Sequence, residues 1–459
     1  MNYQTSSDYQ FLIRMADGTL KQINPFSGTQ VWTVPGRGNR PISSDRTANL
    51  LAHETPESYC AFCESRYFET PPEKERLVLE NGEYNKISNI SGSELLKTKA
   101  EFRRVSNLFE IISFDYWQQN YGFNVSDSAE RARKNYMSTP EGKKHVMDII
   151  DFKLRSSGLT EQQIDAIDDD DKMQISNGFF AGCHELIIGR KHFFEGATHD
   201  NDNCSSGCLT PEEHYQYINF TVDALKDIYL KNRYARFVTV FQNWLKPAGA
   251  SFDHLHKQLV AIDGRSAAND YEFQLARSNP NLYNDYAANY AGYNNLVVAE
   301  NDYAIAFADF GHRYPTLAVY SKAKRNQPWN QNPEEIRGMS DLVHACHAAM
   351  GNQIPCNEEW YYRPPDVDIA MPWHILIKWR ISNPAGFEAV TKIFVNTIEP
   401  WTLRDKVVPK LFSLRKAGKI ARMKIAMECD CVPNCLMYNP YLNINNTYSH
   451  PGREKNMNL

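Results

Sequence analysis

Residues 243–258 read NWLKPAGASFDHLHKQ, and this stretch carries the most suggestive group of reactive side chains in the chain. On a strand, His254 and His256 would point to the same face, because side chains alternate along a strand. Gln258 continues that face and offers an amide donor. The small residues 248–251 would let backbone N–H groups approach a phosphate closely. On spacing alone, two packed or surface-exposed histidines explain the pattern equally well.

A second chemical signal is the C-x-x-C of Cys60 and Cys63. Thiolates two residues apart suit a tetrahedral zinc site, although two free thiols remain an alternative on spacing alone. A redox role needs a thioredoxin-like βαβ context, which is absent here. No second C-x-x-C lies at zinc-finger distance, so the other ligands of a metal site must come from far along the chain. Cys204, Cys208 and the cysteines of 429–435 could form a further site, but nothing aligns them.

Hydrophobic patterning around these signals predicts the same succession of elements twice. Thr210 and Asn332 each precede Pro-Glu-Glu, a strong helix start with a cap, an early proline and a glutamate at the third position. The predicted elements are strands 184–189, 235–241, 256–263, 296–300, 303–310, 316–321 and 374–381, and helices 210–230, 332–350 and 400–417. Strand, strand, helix and strand therefore recur without visible sequence identity, which predicts an α+β protein of two similar lobes.

The remaining segments set the predicted domain boundaries. Residues 11–34 alternate with period two and indicate a strand meander, and 102–113 resembles another strand. A charged stretch at 115–175 has helical spacing and is predicted to be an inserted helical segment on the surface. We place an N-terminal lobe at 1–265, a C-terminal lobe at 266–425 and an irregular tail at 426–459.

Composition limits the function classes. The chain has 459 residues, 42% of them hydrophobic and 23% charged, which is an ordinary globular composition. Lys and Arg number 50 against 55 Asp and Glu, so the net charge is -5. That balance argues against a protein that lives on duplex nucleic acid. No apolar run approaches the roughly 18 residues of a membrane span, and the start lacks a signal-peptide layout. The sequence thus predicts a cytoplasmic protein without nucleic-acid or membrane partners.

Five segments, taken in order, resemble the galactose-1-phosphate uridylyltransferase family of the wider histidine-triad superfamily. They are Asn24-Pro25-Phe26-Ser27-Gly28 with 35–41, Cys60–Cys63 with Thr70-Pro71-Pro72-Glu73, His184-Glu185-Leu186-Ile187-Ile188 with His192, Asn243 through Gln258, and Trp373-His374-Ile375 with Pro384–Glu388 and Val395-Asn396. The resemblance spans about residues 19–415. It implies two histidine-triad-like lobes, each a mainly antiparallel sheet with packed helices.

The resemblance also implies a chemistry. His256 matches the family's nucleophile, which takes a nucleoside monophosphate from a nucleotide sugar as a covalent nucleotidyl-histidine. Gln258 matches the glutamine that donates to the phosphoryl oxygens. Ser251, Asn243 and Gly249 match positions near the phosphates.

Arg37 and Arg40 match the family's arginines near the nucleotide, where a guanidinium can fork onto phosphate oxygens. Lys392 could supply a further phosphate contact, but a solvated lysine is the better interpretation.

A structural zinc ion is the cofactor that the resemblance implies. The matching ligands are Cys60, Cys63, His192 and His254. The family's second metal site is not expected, because Pro372-Trp373-His374 replaces a pair of histidines, although Glu272 lies at a plausible distance for a ligand. His184 is predicted to be a core or pocket histidine rather than a ligand.

The sequence therefore predicts a nucleotidyltransferase of carbohydrate metabolism that moves UMP between a UDP-sugar and a sugar 1-phosphate. The alternatives are a phosphorylase acting on a dinucleoside polyphosphate or an ADP- or GDP-sugar, and a nucleotide-binding protein without turnover. Its partners would be a nucleotide sugar or dinucleotide and a phosphorylated acceptor. The family resemblance further implies a homodimer.

Overall fold

The computed structural model describes residues 11–36, 48–51 and 57–441. Its strands, in chain order, are β1 Leu12–Arg14, β2 Leu20–Ile23, β3 Gln30–Thr33, β4 Glu73–Glu80, β5 Glu83–Ser88, β6 Ala100–Ser106, β7 His184–Gly189, β8 Phe237–Trp244, β9 His256–Ile262, β10 Val297–Glu300, β11 Ala304–Asp309, β12 Thr316–Ser321, β13 Cys356–Tyr361, β14 His374–Trp379, β15 Ile393–Asn396 and β16 Lys424–Ile425.

The α-helices follow the same order. They are α1 Phe114–Tyr121, α2 Asp127–Tyr136, α3 Pro140–Ser156, α4 Glu161–Asp165, α5 Asp169–Ile175, α6 Asn177–Ala181, α7 Pro211–Lys231, α8 Ala267–Ser278, α9 Asn289–Tyr293, α10 Pro333–Met350, α11 Gly386–Thr391 and α12 Pro400–Lys416. The mixture of helices and antiparallel strands confirms the predicted α+β class.

One long sheet carries both halves of the molecule. Its strands run in the order β16-β10-β11-β12-β14-β13-β8-β9-β7-β6-β4-β5, and neighbouring strands are antiparallel. The pairing of β8 with β13 joins the N-terminal strands to the C-terminal ones. The hydrophobic pattern does not predict β13, whose sequence CNEEWY places charged residues inside a strand.

A buried ion pair crosses this junction. Nζ of Lys257 on β9 lies 2.6 Å from Oε1 of Glu358 on β13, and both side chains are fully buried. Glu358 also accepts hydrogen bonds from Nε2 of His347 on α10, at 2.9 Å, and from Nε1 of Trp360, at 2.6 Å. Burial opposes the negative charge of Glu358, yet the cation of Lys257 keeps the pKa of this carboxyl below its usual value. The pair therefore ties a strand of each half together inside the core.

The two long central helices begin as predicted. Thr210 and Asn332 cap α7 and α10, and each forms a reciprocal pair of hydrogen bonds with the glutamate three residues later. Apolar side chains of α7, α10 and α12 pack into one cluster with inward-facing residues of β8, β9, β11, β12 and β14. The helices thus cover one face of the long sheet, and the opposite face remains for other segments.

Helices α1 to α5 occupy residues 114–175, where the sequence predicts an inserted helical segment. A buried histidine anchors them to the rest of the chain: Nε2 of His145 lies 2.9 Å from the carbonyl oxygen of Thr70, and the hydroxyl of Tyr136 lies 2.7 Å from its Nδ1. The strand predicted over 102–113 ends early, at Ser106, because the side chain of Asn107 accepts the N–H of Phe109 and turns the chain.

The N-terminal strands form a second, smaller sheet in the order β1-β2-β3-β15, in which β3 and β15 are parallel. This sheet packs on the C-terminal half. Nδ2 of Asn24 donates to the carbonyl of Phe310 at 3.3 Å, and the N–H of Gly311 donates to Gln22 at 3.1 Å. The domain boundaries near 265 and 425 stay a prediction. Within the described residues, no helix is both long enough and apolar enough to cross a bilayer.

Candidate active site and metal centre

Four side chains from three distant segments converge beside the long sheet. Their ligand atoms, on Cys60, Cys63, His192 and His254, lie within 4.8 Å of one another. The two Sγ atoms are 3.8 Å apart, and Nδ1 of His192 lies 3.4 Å from each of them. A tetrahedral zinc with bonds of about 2.3 Å to sulfur would separate two sulfurs by about 3.8 Å. The donor set and its spacing therefore fit a tetrahedral metal ion such as zinc.

The remaining atoms of the cluster are arranged to leave its ligand atoms available. Nε2 of His254 donates to the carbonyl of Gly189 at 2.6 Å, so its Nδ1 carries the lone pair that faces the thiols. A hydrogen bond between the two thiols raises the pKa of Cys60 and lowers that of Cys63. The two sulfurs and Nδ1 of His254 thus face one another at the centre of the cluster.

His256 is the first residue of β9 and is buried. Its Nδ1 lies 2.8 Å from the carbonyl oxygen of His254. Because a carbonyl only accepts, the proton lies on Nδ1 and the lone pair on Nε2. Nε2 forms no hydrogen bond with any described residue. Burial lowers the pKa of His256 to about 4, so the ring is neutral at neutral pH. Neutral imidazole with a free Nε2 is the form that can act as a nucleophile.

The predicted strand 256–263 is confirmed as β9, but the alternation of side chains along it does not extend to His254. His254 does not lie on the strand with His256, because β9 begins only at His256. The bend before the strand lets His254 turn toward the cysteines. Both imidazoles still lie near the ring of Phe62, with centroids 6.0 and 5.3 Å from it. Only one residue, Leu255, therefore lies between His254 of the metal cluster and the candidate nucleophile His256 along the chain.

Gln258 lies on the same face of β9 as His256, and its Oε1 accepts a hydrogen bond from Nε2 of His184 at 3.1 Å. Nδ2 of Asn107 lies 3.5 Å from the same oxygen. His184, which opens β7, is neutral because burial lowers its pKa to about 4. His184 is therefore a buried histidine, as predicted. Its contact with Gln258 could not be predicted, because a single histidine at the start of a strand does not indicate its neighbours on another strand.

Asn243 lies on β8, two residues beyond Phe241, which pairs with Gln258 on β9. Its Oδ1 accepts a hydrogen bond from Nδ2 of Asn357 on β13, at 2.7 Å. A Cβ added to Gly249 would lie 3.8 Å from Nδ2 of Asn243, so the free end of this amide faces the loop. The sequence pattern gives no sign of this contact, because Asn357 lies on β13, a strand that the hydrophobic pattern does not predict.

The loop between β8 and β9 does not present its backbone N–H groups as the sequence suggested. The N–H groups of Ala248 and Ala250 donate to the carbonyl of Leu245, at 3.0 and 3.3 Å, and that of Gly249 donates to Lys246 at 2.9 Å. This tight turn holds Leu245 at φ 66°, where side-chain-bearing residues are rare. Ser251 is exposed on the same loop. Three of the four N–H groups of residues 248–251 are therefore engaged within the turn.

In the C-terminal half, His374 forms the same kind of backbone hydrogen bond as His256. Nδ1 of His374 lies 3.0 Å from the carbonyl of Pro372, the same two-residue spacing as at His256. Its ring stacks between Tyr320 and Tyr361, with centroids 4.4 and 5.2 Å away. Glu272 is buried and accepts the hydroxyl of Tyr283 at 2.9 Å. His374 is therefore enclosed between two aromatic rings, unlike His256.

The other predicted residues give no further site. Arg37 and Arg40 lie outside the described residues. Lys392 is exposed. In the described part of the chain, no second group of three His, Cys, Asp or Glu side chains comes within metal-binding reach, and the cysteines at 204–208 and 429–435 form none.

Comparisons with known proteins agree with this architecture. A family model described as a domain of unknown function (DUF4921) matches residues 15–438. No curated protein matches the sequence. An ADP-glucose phosphorylase from Arabidopsis thaliana, solved with bound ADP-glucose, is 15% identical; the match covers 85% of this chain and 98% of that chain, with a TM-score of 0.54.

A GALT-like protein from Arabidopsis thaliana is 14% identical, covers 84% of this chain and 98% of that chain, and has a TM-score of 0.53. These two structures show a shared two-lobed fold, which confirms the predicted resemblance at the level of the fold.

Proposed function

We propose that this chain, which belongs to the family described as a domain of unknown function (DUF4921), is a nucleotidyltransferase that works through a covalent intermediate on His256. The observation that carries the proposal is the buried imidazole whose Nδ1 proton is held by the carbonyl of His254 while Nε2 stays free. The amides of Gln258 and Asn243 lie on the same face of the sheet as this ring. A neutral nucleophile beside two donors suits attack on a phosphate diester or anhydride.

The reaction would proceed in two displacements. Nε2 of His256 attacks the α-phosphorus of a nucleoside diphosphate sugar, a P–N bond forms, and the bond to the sugar 1-phosphate breaks. A phosphate oxygen of a second substrate then attacks the same phosphorus, and the P–N bond breaks. Gln258 and Asn243 would hold the charge that develops on the phosphoryl oxygens in both steps. Ser251, Gly249, Arg37 and Arg40 stay proposed contacts of the nucleotide.

Two donors are proposed. The family resemblance favours UMP transfer between a UDP-sugar and a sugar 1-phosphate. The solved ADP-glucose phosphorylase, whose match covers most of both chains, favours an ADP-sugar with inorganic phosphate as acceptor. Both share the nucleophile and differ in the base and the acceptor. The proposed assembly is a homodimer.

Intact-protein mass spectrometry tests the covalent step and identifies the donor. The chain is incubated with UDP-, ADP- and GDP-sugars and with dinucleoside polyphosphates. We expect a mass gain of one nucleoside monophosphate with one donor class. His256→Asn should show no gain, and the exposed His199→Asn, a matched control, should show the full gain. If no donor modifies the wild-type chain, the covalent route is wrong.

We further propose that the cluster of Cys60, Cys63, His192 and His254 holds a structural zinc ion. The closed set of two thiols and two imidazoles leaves no open position for chemistry. The ion would fix His254, and the carbonyl of His254 in turn orients His256.

Metal content measured by mass spectrometry of purified protein should be one zinc per chain. Cys63→Ser is expected to reduce it to below about a tenth, since replacing one thiolate opens the tetrahedron. Cys208→Ser, which changes an exposed cysteine outside the cluster, should keep the full content. Full zinc in the Cys63→Ser protein would show that the metal binds elsewhere.

A further inference from the structure

The side-chain oxygens of Gln258 and Asn243 each accept a hydrogen bond from another residue, His184 and Asn357 respectively. We infer that His184 and Asn357 are positioning residues, which turn the N–H groups of Gln258 and Asn243 toward the phosphate that reacts at His256. The inference rests on the proposed function and deepens it, because it says what makes these amides donors. An unrestrained amide presents its oxygen as readily as its nitrogen, and an oxygen would repel a phosphate.

The orientation of Gln258 follows from a backbone donor. The N–H of Ile111 donates to Nδ1 of His184 at 3.0 Å, so this nitrogen carries no proton. A neutral imidazole then carries its proton on Nε2, which lies 3.1 Å from Oε1 of Gln258. Nδ2 of Asn107 lies 2.9 Å from the same ring nitrogen and also donates to Oε1 of Gln258, at 3.5 Å. The oxygen of Gln258 therefore points to His184, and its NH2 group points away.

The orientation of Asn243 follows from an arginine. Nη1 of Arg380 lies 2.7 Å from Oδ1 of Asn357, and a guanidinium can only donate. The NH2 group of Asn357 consequently points the other way, where it donates to the carbonyl of Ala248 at 2.8 Å and to Oδ1 of Asn243 at 2.7 Å. The NH2 group of Asn243 is left on the side of Gly249.

We call these two series of hydrogen bonds relays: one runs from Ile111 through His184 to Gln258, and the other runs from Arg380 through Asn357 to Asn243. They reach the site from opposite sides of His256 and share no residue. One starts at the backbone after β6, and the other at the end of β14. Neither NH2 group, of Gln258 or of Asn243, donates to any residue that the structure describes. Donors that are held in place and left without a protein acceptor need no reorganisation when charge develops on the phosphate.

Single-turnover formation of the nucleotidyl adduct, followed by intact mass, tests both relays. His184→Leu keeps the bulk of the side chain and removes the donor. Asn357→Leu does the same in the second relay. We expect each to slow adduct formation roughly 10- to 100-fold, since each weakens one oriented donor.

Rescue and a matched control separate positioning from folding. His184→Gln restores an N–H near the place of Nε2 and should recover most of the rate. His145→Leu also removes a buried, hydrogen-bonded histidine, but from the inserted helices, and should leave the rate per folded molecule unchanged. Thermal melting gives the folded fraction of each variant.

The possible outcomes distinguish the two proposals. Adduct formation at the wild-type rate in both Leu variants overturns the inference and leaves the proposed function intact. If the wild-type chain forms no adduct, the proposed function fails. The inference is then tested by calorimetry, which compares the binding of ADP and UDP by the wild type and by the two Leu variants. Weaker binding by both Leu variants supports oriented amides, and equal binding, or none by the wild type, overturns them.

Discussion

Replacing His256 by Asn is expected to reduce nucleotidyl transfer by on the order of 10⁴-fold or more while nucleotide binding changes little. The free Nε2 is the only atom at this position that can form the P–N bond, and Asn has no equivalent nucleophile. The amides of Gln258 and Asn243 remain, so the phosphates should still be held. Steady-state kinetics and calorimetry on the same preparation measure the two effects separately.

His374→Asn is the matched control for this prediction. His374 has the same hydrogen bond from Nδ1 to the carbonyl two residues earlier, but Tyr320 and Tyr361 cover both faces of its ring. Turnover per folded molecule should persist in His374→Asn. If His374→Asn abolishes transfer and His256→Asn does not, the nucleophile has been assigned to the wrong half.

Lys257→Met is expected to lower the free energy of unfolding by about 3–5 kcal/mol. The substitution leaves the carboxylate of Glu358 fully buried without its cation, although His347 and Trp360 still donate to it. Urea unfolding followed by fluorescence measures the loss. Because the pair joins β9 to β13, the destabilisation should be felt in both halves of the sheet.

The double variant Lys257→Met with Glu358→Gln tests the cause. It removes both charges and keeps an acceptor for Trp360, so most of the lost stability should return. Lys143→Met, which breaks an exposed pair with Asp169, should change stability within the error of the measurement. If the double variant is no more stable than Lys257→Met, the buried charge of Glu358 is not the source of the loss.

The sequence predicted those parts of the fold that depend on local signals. The capped starts of α7 and α10 and the apolar strand β7 lie where expected, because side-chain caps and hydrophobic runs act over a few residues. The strand β13 was missed for the opposite reason. Its Glu358 is compensated by Lys257, about a hundred positions earlier, and no local pattern shows that pairing.

The candidate site divides in the same way. The sequence predicted the cluster of Cys60, Cys63, His192 and His254 only through a family resemblance, and the structure confirms that these residues come together. The contributions of His184 and Asn357 depend on which atom of an imidazole or amide faces which neighbour. That information exists only once β7, β9, β8 and β13 lie side by side.

The parallel pairing of β3 with β15 has a consequence for synthesis. The partner of residues 30–33 lies about 360 residues further along the chain. At a translation rate of about 5–20 residues per second, the nascent β2–β3 hairpin waits roughly 20–70 s before that strand has been made. During this time the edge of β3, and side chains such as Leu20 and Val31 that are later buried, have no final partner. The pairing of β3 with β15 therefore forms only after most of the described chain has been made, and a holding chaperone would find its substrate in strands β1 to β3.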